Sequence, residues 1–224
     1  MSPRRVPVSR RDRPAKPALS REGMVAVALR VMREEGLERL TMRRLAAELD
    51  TGPASLYVYV RNTAELHGAI LDELVAGLEQ PAGGPWRERL VGLLTAYSDL
   101  LFAHPGLARS VLTLRPSGPH YLRLIDTLLG LLLAGGLPER QAAWGVDILL
   151  QQATATAAEQ TGRDESADAD AEEQDLALAV AEARPDEYPH LARVRDEILS
   201  GTGEQRRRWA FETLIDGLGP TREG

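Results

Sequence analysis

Between positions 41 and 63 the chain gathers small hydroxyl, phenol and guanidinium groups: Thr41, Arg43, Ser55, Tyr57, Tyr59 and Thr63. Between them stand the apolar tips of Met42, Pro53, Ala54 and Val58. Hydroxyl and guanidinium groups donate to phosphate oxygens, while a serine or a methyl-bearing side chain can meet a base edge in the major groove. That is the chemistry of holding nucleic acid. Groups suited to turnover are sparse. There is no cysteine, hence no thiolate nucleophile, disulfide or thiolate metal site. The four histidines, His67, His104, His120 and His190, are scattered without metal-ligand spacing. A single lysine, Lys16, leaves little scope for Schiff-base or P-loop chemistry. No catalytic residue, metal site or cofactor is expected, and the chain is not expected to be an enzyme.

A second set of polar residues sits on otherwise apolar helical stretches. Trp144, Asp147, Ile148, Gln151 and Ala155 share one helical face. His104, Arg115, His120 and Tyr121 lie near helix breaks that could open onto the same space. A few polar groups converging on an apolar cavity can orient a small ligand. His104, Arg115, Tyr121, Trp144, Asp147 and Gln151 are therefore the candidate ligand residues, and the expected effector is a small apolar or amphipathic molecule.

The elements that must position these groups are all helical. Ser20 caps a first helix whose stripe is Met24, Val27, Ala28, Val31 and Met32, and Gly36 ends it. Thr41 starts a second helix with Leu45, Ala46 and Leu49 inward. Asp50-Thr51-Gly52 turns the chain, and Pro53 opens a short third helix with Leu56 and Val60 inward. Tyr57 and Tyr59 are then expected to point outward as donors to phosphates. Asn62 with Glu65 reads as a capping box for a fourth helix reaching about Leu78. Two short helices joined by a three-residue turn are the geometry that sets a recognition helix into a major groove. Further helices are expected at about 86–103, 105–114, 119–135, 138–161, 188–200 and 204–218. Residues 161–187, acidic and alanine-rich, read as a mobile loop or a marginal helix. Strand periodicity is lacking.

Charge is distributed unevenly. The formal net charge is −6. Residues 1–78 carry 13 Lys/Arg against 10 Asp/Glu, a surplus of +3, and the remaining residues carry 14 against 23, a deficit of −9. A basic N-terminal end on an acidic protein suits nucleic acid at that end. Residues 1–18 hold Arg4, Arg5, Arg10, Arg11, Arg13 and Lys16 against Asp12, with four prolines, and read as a disordered basic arm. The expected division is the arm 1–18, a helix-turn-helix domain 19–80 and a ligand-binding and dimerisation domain 86–218. No apolar core follows the N-terminal charges, and the longest apolar run, 128–137, is broken by glycines. Crossing a membrane takes roughly 20 apolar residues, so a cytoplasmic protein with no membrane partner is expected.

The segment LTMRRLAAELDTGPASLYVYVRNTAELHGAILDEL, residues 40–74, resembles the DNA-binding domain of tetracycline-repressor (TetR) family regulators. The shared features are the Thr-x-Arg-x-Leu-Ala start, the Ser-Leu-Tyr-x-Tyr recognition helix and the Asn-x-x-x-Leu opening of the fourth helix. The resemblance implies an all-α fold: an N-terminal three-helix helix-turn-helix domain followed by a larger helical ligand-binding and dimerisation domain. It places Thr41, Arg43, Pro53, Ala54, Ser55, Tyr57, Tyr59 and Thr63 at DNA-facing positions. The chain departs from the family at Thr63, where a lysine is usual, and at Val58 and Val60, often aromatic. HPGLARSVL at 104–112, LRP at 114–116, GLPERQAAWGVDILLQQ at 136–152, YPHLARV at 188–194 and RRWAFETLIDGL at 207–218 resemble the tetracycline-repressor branch itself.

In that branch two C-terminal helices of each subunit form a four-helix interface, a role that falls here on 138–161 and 204–218, with Trp209, Phe211, Leu214, Ile215 and Leu218 as apolar area. Val111 stands near the place of a histidine that helps hold a magnesium–drug complex, so that complex is not the expected ligand. The resemblance thus implies a homodimer on double-stranded operator DNA, a repressor released by a small inducer. The other reading is a helical interaction module whose basic arm binds nucleic acid without specificity.

Overall fold

The computed structural model describes residues 19–79 and 83–219. The expected arm 1–18 lies outside the described residues, as do residues 80–82, the last of the expected domain 19–80 and the first two of the gap before 86. What is described is helical throughout, with no strand among the described residues. The chain forms an N-terminal helix-turn-helix bundle and a larger C-terminal helical domain.

The N-terminal caps form as their residue types dictate. The Ser20 hydroxyl accepts the Gly23 N–H at 3.0 Å and opens α1, Arg21–Glu35. Gly36, at φ +87°, takes the left-handed turn that ends it, and a short 3-10 helix, Leu37–Arg39, follows. The Thr41 hydroxyl accepts the Arg44 N–H at 3.0 Å and opens α2, Met42–Glu48. Pro53 begins α3, Pro53–Leu56, which continues as a turn to Val60. The Asn62 side chain accepts the Glu65 N–H at 2.8 Å and opens α4, Thr63–Val75. Glu65 reaches back one residue further than a capping box requires, to the Arg61 N–H at 2.7 Å. Met24, Ala28, Leu45, Leu56, Leu66 and Ile70 close this core, none more than 1 % exposed.

The C-terminal domain contains α5 (Trp86–Phe102), α6 (Pro105–Val111), α7 (Pro119–Ala134), α8 (Glu139–Asp164) and α9 (Ala169–Glu182). After these come α10 (Pro189–Arg193), α11 (Arg195–Ile198) and α12 (Gly203–Gly217). Helix α8 has 26 residues, about 39 Å of uninterrupted rod. It packs chiefly on α5 and α6, and its small residues Ala142, Gly145, Ala153 and Ala157 let those neighbours approach. At Gly145 a Cβ would stand 2.5 Å from a terminal methyl of Leu218, just beyond the end of α12, which would have to shift. Helix α4 joins the two parts, since it packs on α1 of the bundle and on α6 and α7 of the C-terminal domain.

Of the two readings of residues 161–187, the structure takes the helical one: residues 169–182 form a helix of which only Val180 is buried. Two other stretches differ from expectation. Residues 188–200 form two short helices, interrupted at Val194. Phe211 and Ile215, expected as interface area, are 0 % and 3 % exposed in the core of their own subunit, and Leu214 and Leu218 pack partly buried against it. Trp209 is 69 % exposed.

Candidate nucleic-acid interface and effector cavity

The helix-turn-helix presents one polar face. Thr41, Arg43, Pro53, Ala54, Ser55, Tyr57, Val58 and Thr63 are all exposed, Val58 at 80 %. Leu56 and Val60 lie inside at 0 % and 1 %, which turns Ser55, Tyr57 and Val58 out together. The Thr41 oxygen is used as a cap, but its proton remains free to be donated.

Two residues of the expected face lie elsewhere. Met42 is 7 % exposed and belongs to the core, because the residue after the cap of α2 faces the bundle. Tyr59 is half-buried, and its hydroxyl donates to the Leu19 carbonyl, bracing the recognition segment against the start of α1. It lies three residues after Leu56, so the helical turn brings it back beside the buried stripe. Charged side chains brace the bundle as well. Arg44 donates to Glu35 at 2.6 and 3.2 Å and pairs with Glu48, which also takes Arg30. Hydrogen bonds from Arg30 and then Arg44 hold the Glu48 carboxyl below its usual range. Being exposed, these pairs orient the helices more than they stabilise them.

The C-terminal domain forms a solvent-open cavity of about 300 Å³ between α6, α7 and α8. Four of the six expected ligand residues line it: Arg115, Tyr121, Asp147 and Gln151. Apolar walls come from Val111, Leu114, Ile125, Val146 and Leu150 among others. Two residues do not join them. Trp144 is 60 % exposed outside the cavity, and the Arg140 guanidinium stands 4.2 Å over its ring. Trp144 and Ile148 stand at the outer margin of the stripe that Asp147, Leu150 and Thr154 turn to the cavity. His104 lies in a different cleft, about 260 Å³, against Glu35, Leu37 and Glu38 of the N-terminal bundle, and burial pushes its pKa down.

One cavity group, Thr154, and the buried phenol behind it, Tyr97, were not singled out by the sequence. Thr154 lines the wall and donates to the Leu150 carbonyl at 2.8 Å. With that proton committed, its oxygen accepts from Tyr97, 3.3 Å away. Tyr97 is fully buried and its ring leans on Tyr121, centroids 6.4 Å apart. Burial raises the pKa of both phenols, so each stays a neutral donor.

Comparison with known proteins places this geometry. Residues 24–70 match the family of bacterial regulatory proteins of tetR type, and residues 79–221 match the tetracyclin repressor-like C-terminal domain. The fold is similar to that of SCO7704 from Streptomyces coelicolor, assigned as a transcription regulator, at 50% identity and a TM-score of 0.79, over 93% of this chain and 98% of that one. It is similar to the TetR family protein ActR of Streptomyces coelicolor in complex with actinorhodin, at 32% identity and a TM-score of 0.79, covering 91% and 96%. The HTH-type transcriptional repressor DrrR1 of Streptomyces coeruleorubidus is 27% identical over 218 residues, 93% of this chain and 80% of that protein.

Proposed function

We infer the function from one premise: this chain belongs to the TetR family of bacterial regulatory proteins. It is a DNA-binding transcriptional regulator that a small molecule releases from DNA. The observation that carries the reading is the exposure of Ser55, Tyr57 and Val58 on a short helix whose Leu56 is completely buried. A side-chain set so turned out, flanked by exposed Thr41, Arg43 and Thr63, suits base edges in the middle and phosphates at the sides.

A single short recognition segment touches too few bases for useful specificity, so two copies read a two-fold symmetric operator. The surface that fits a second copy is the outer face of α8 with α12: Trp144 at 60 %, Ile148 at 42 % and Trp209 at 69 % exposure. These replace Phe211 and Ile215, which the subunit uses internally. Trp209→Asp is expected to raise the self-association Kd about 1000-fold, since a hot spot of about 2 kcal/mol counts twice across a two-fold axis. Sedimentation at micromolar concentration, with unchanged helical circular dichroism, is the check.

The effector occupies the cavity of about 300 Å³, which sits at the small end of ligand pockets. Apolar walls and the polar Arg115, Asp147, Gln151 and Thr154 suit an amphipathic molecule. By linkage, an effector that favours a dimer with misplaced recognition segments must weaken DNA binding, and DNA must weaken effector binding equally. Relatives of this chain are transcriptional regulators, and no chemistry is assigned to the site. Among the described residues no helix is long and apolar enough to cross a membrane, and we place the protein with its operator in the cytoplasm.

Selection from random duplexes by the full chain tests this. A symmetric consensus with half-sites roughly 34–36 Å apart is expected. A pool without consensus, bound with steep salt dependence, would overturn it in favour of non-specific binding through residues 1–18.

A further inference from the structure

Helix α4 carries a carboxylate where its pattern calls for an apolar residue. Asp72 is only 7 % exposed, and its neighbours Ile70 and Leu71 are fully buried. Its Oδ1 accepts the backbone N–H of Tyr121 at 2.8 Å. Tyr121 lies in the first turn of α7, where the amides have no partner within the helix. A carboxylate is favoured at such a helix start by the aligned peptide dipoles. Space confirms the fit: a Cβ on Gly118, just ahead of α7, would stand 2.1–2.5 Å from the Asp72 carboxylate atoms. Gly118 has φ −70°, open to any residue, so room for Asp72 is what excludes a side chain there.

The residue so held is also a wall of the effector cavity. Tyr121 lines it, and its ring contacts Tyr97, which is bonded to Thr154 on α8. Helix α4 also packs on α1 in the DNA-binding bundle. One turn earlier along α4, His67 Nδ1 meets Ser110 Oγ at 2.7 Å, next to the cavity residue Val111. The Arg30, Arg44, Glu35 and Glu48 pairs, by contrast, stay within the N-terminal bundle.

We propose that Asp72 is a positioning residue that ties the effector cavity to the DNA-binding bundle, by holding the α7 amide of Tyr121 from α4. This rests on the DNA-binding reading above. Displacement of Tyr121 by an occupant of the cavity then pulls on α4 directly, and α4 reorients the bundle that carries α3.

Reciprocity makes the tie measurable without knowing the effector. The full-length protein is mixed with the duplex recovered by random selection, and hydrogen exchange is followed at α3 and at the first turn of α7. In the wild type the duplex is expected to slow α7 exchange at least about 5-fold, the low end of site-to-site coupling. In Asp72→Ala the duplex is expected still to protect residues 54–59 but to leave α7 unchanged. Asp72→Asn, which keeps the acceptor oxygen, is expected to restore the response. The ratio with and without duplex is the readout, because a merely structural role would alter both states alike. The proposal is overturned if the wild-type α7 ignores the duplex, a test that needs no variant to fold, or if Asp72→Ala responds as the wild type does. Failure of the selection to yield any bound duplex would instead remove the DNA-binding reading and this inference with it.

Discussion

Exchanging Ser55 for glutamate is expected to weaken binding of the selected operator about 1000-fold. Ser55 is exposed on α3, one residue before the buried Leu56, so the substitution leaves the bundle core untouched. In the complex it places a carboxylate between two phosphate strands and removes a small donor from the base edges. A misplaced base-reading group costs about 1–3 kcal/mol. Two subunits carry it, so about 4 kcal/mol is lost, which is three orders of magnitude in Kd. Anisotropy titration of the labelled duplex measures this, with circular dichroism and sedimentation as controls for fold and assembly. Retained affinity would mean that α3 does not lie in the groove.

The second large effect is on stability. Gly118→Ala is expected to lower the midpoint of thermal unfolding by about 6–12 °C. The new methyl would sit at 2.1–2.5 Å from a carboxylate that is itself 7 % exposed, so Asp72 must leave its place. Its charge then loses the Tyr121 N–H at 2.8 Å, and that amide loses its acceptor. A buried hydrogen bond to a charged group carries up to about 3 kcal/mol. At about 2–4 °C per kcal/mol for a domain of this size, the stated range follows. Differential scanning calorimetry of the two proteins decides it, and an unchanged midpoint would show that the carboxylate swings away at no cost. Asp72→Asn alone should fall by less, since it keeps an acceptor.

The helices with a buried stripe and a capping residue were legible in the chain. Ser20, Thr41 and Asn62 each accept the amide three residues on, as their types and places suggest. Helix α9 was legible only as one of two alternatives, because it forms on the helical propensity of alanine and glutamate with only Val180 buried. Within the candidate site, one helical face pointed to Asp147 and Gln151, and closeness to helix breaks pointed to Arg115 and Tyr121; all four line the cavity. Thr154 among alanines and Tyr97 among leucines look like ordinary core until their hydroxyls are seen to meet. Trp144 and Asp147 are near neighbours around the helix and both are exposed, so periodicity groups them although only Asp147 lines the cavity. Asp72 and Tyr121 are 49 positions apart, and no local pattern pairs them.

Helix α8 has one further consequence. The same rod bears Asp147, Leu150 and Thr154 toward the cavity and Trp144 and Ile148 toward the proposed partner copy. Any tilt that admits a guest on one flank is felt along the seam on the other. The threshold concentration at which a guest is sensed must therefore drift with the abundance of the sensor: a scarce, largely dissociated population and a crowded, paired one respond at different doses. A gene that sets its own copy number would, through this one rod, also set its own sensitivity.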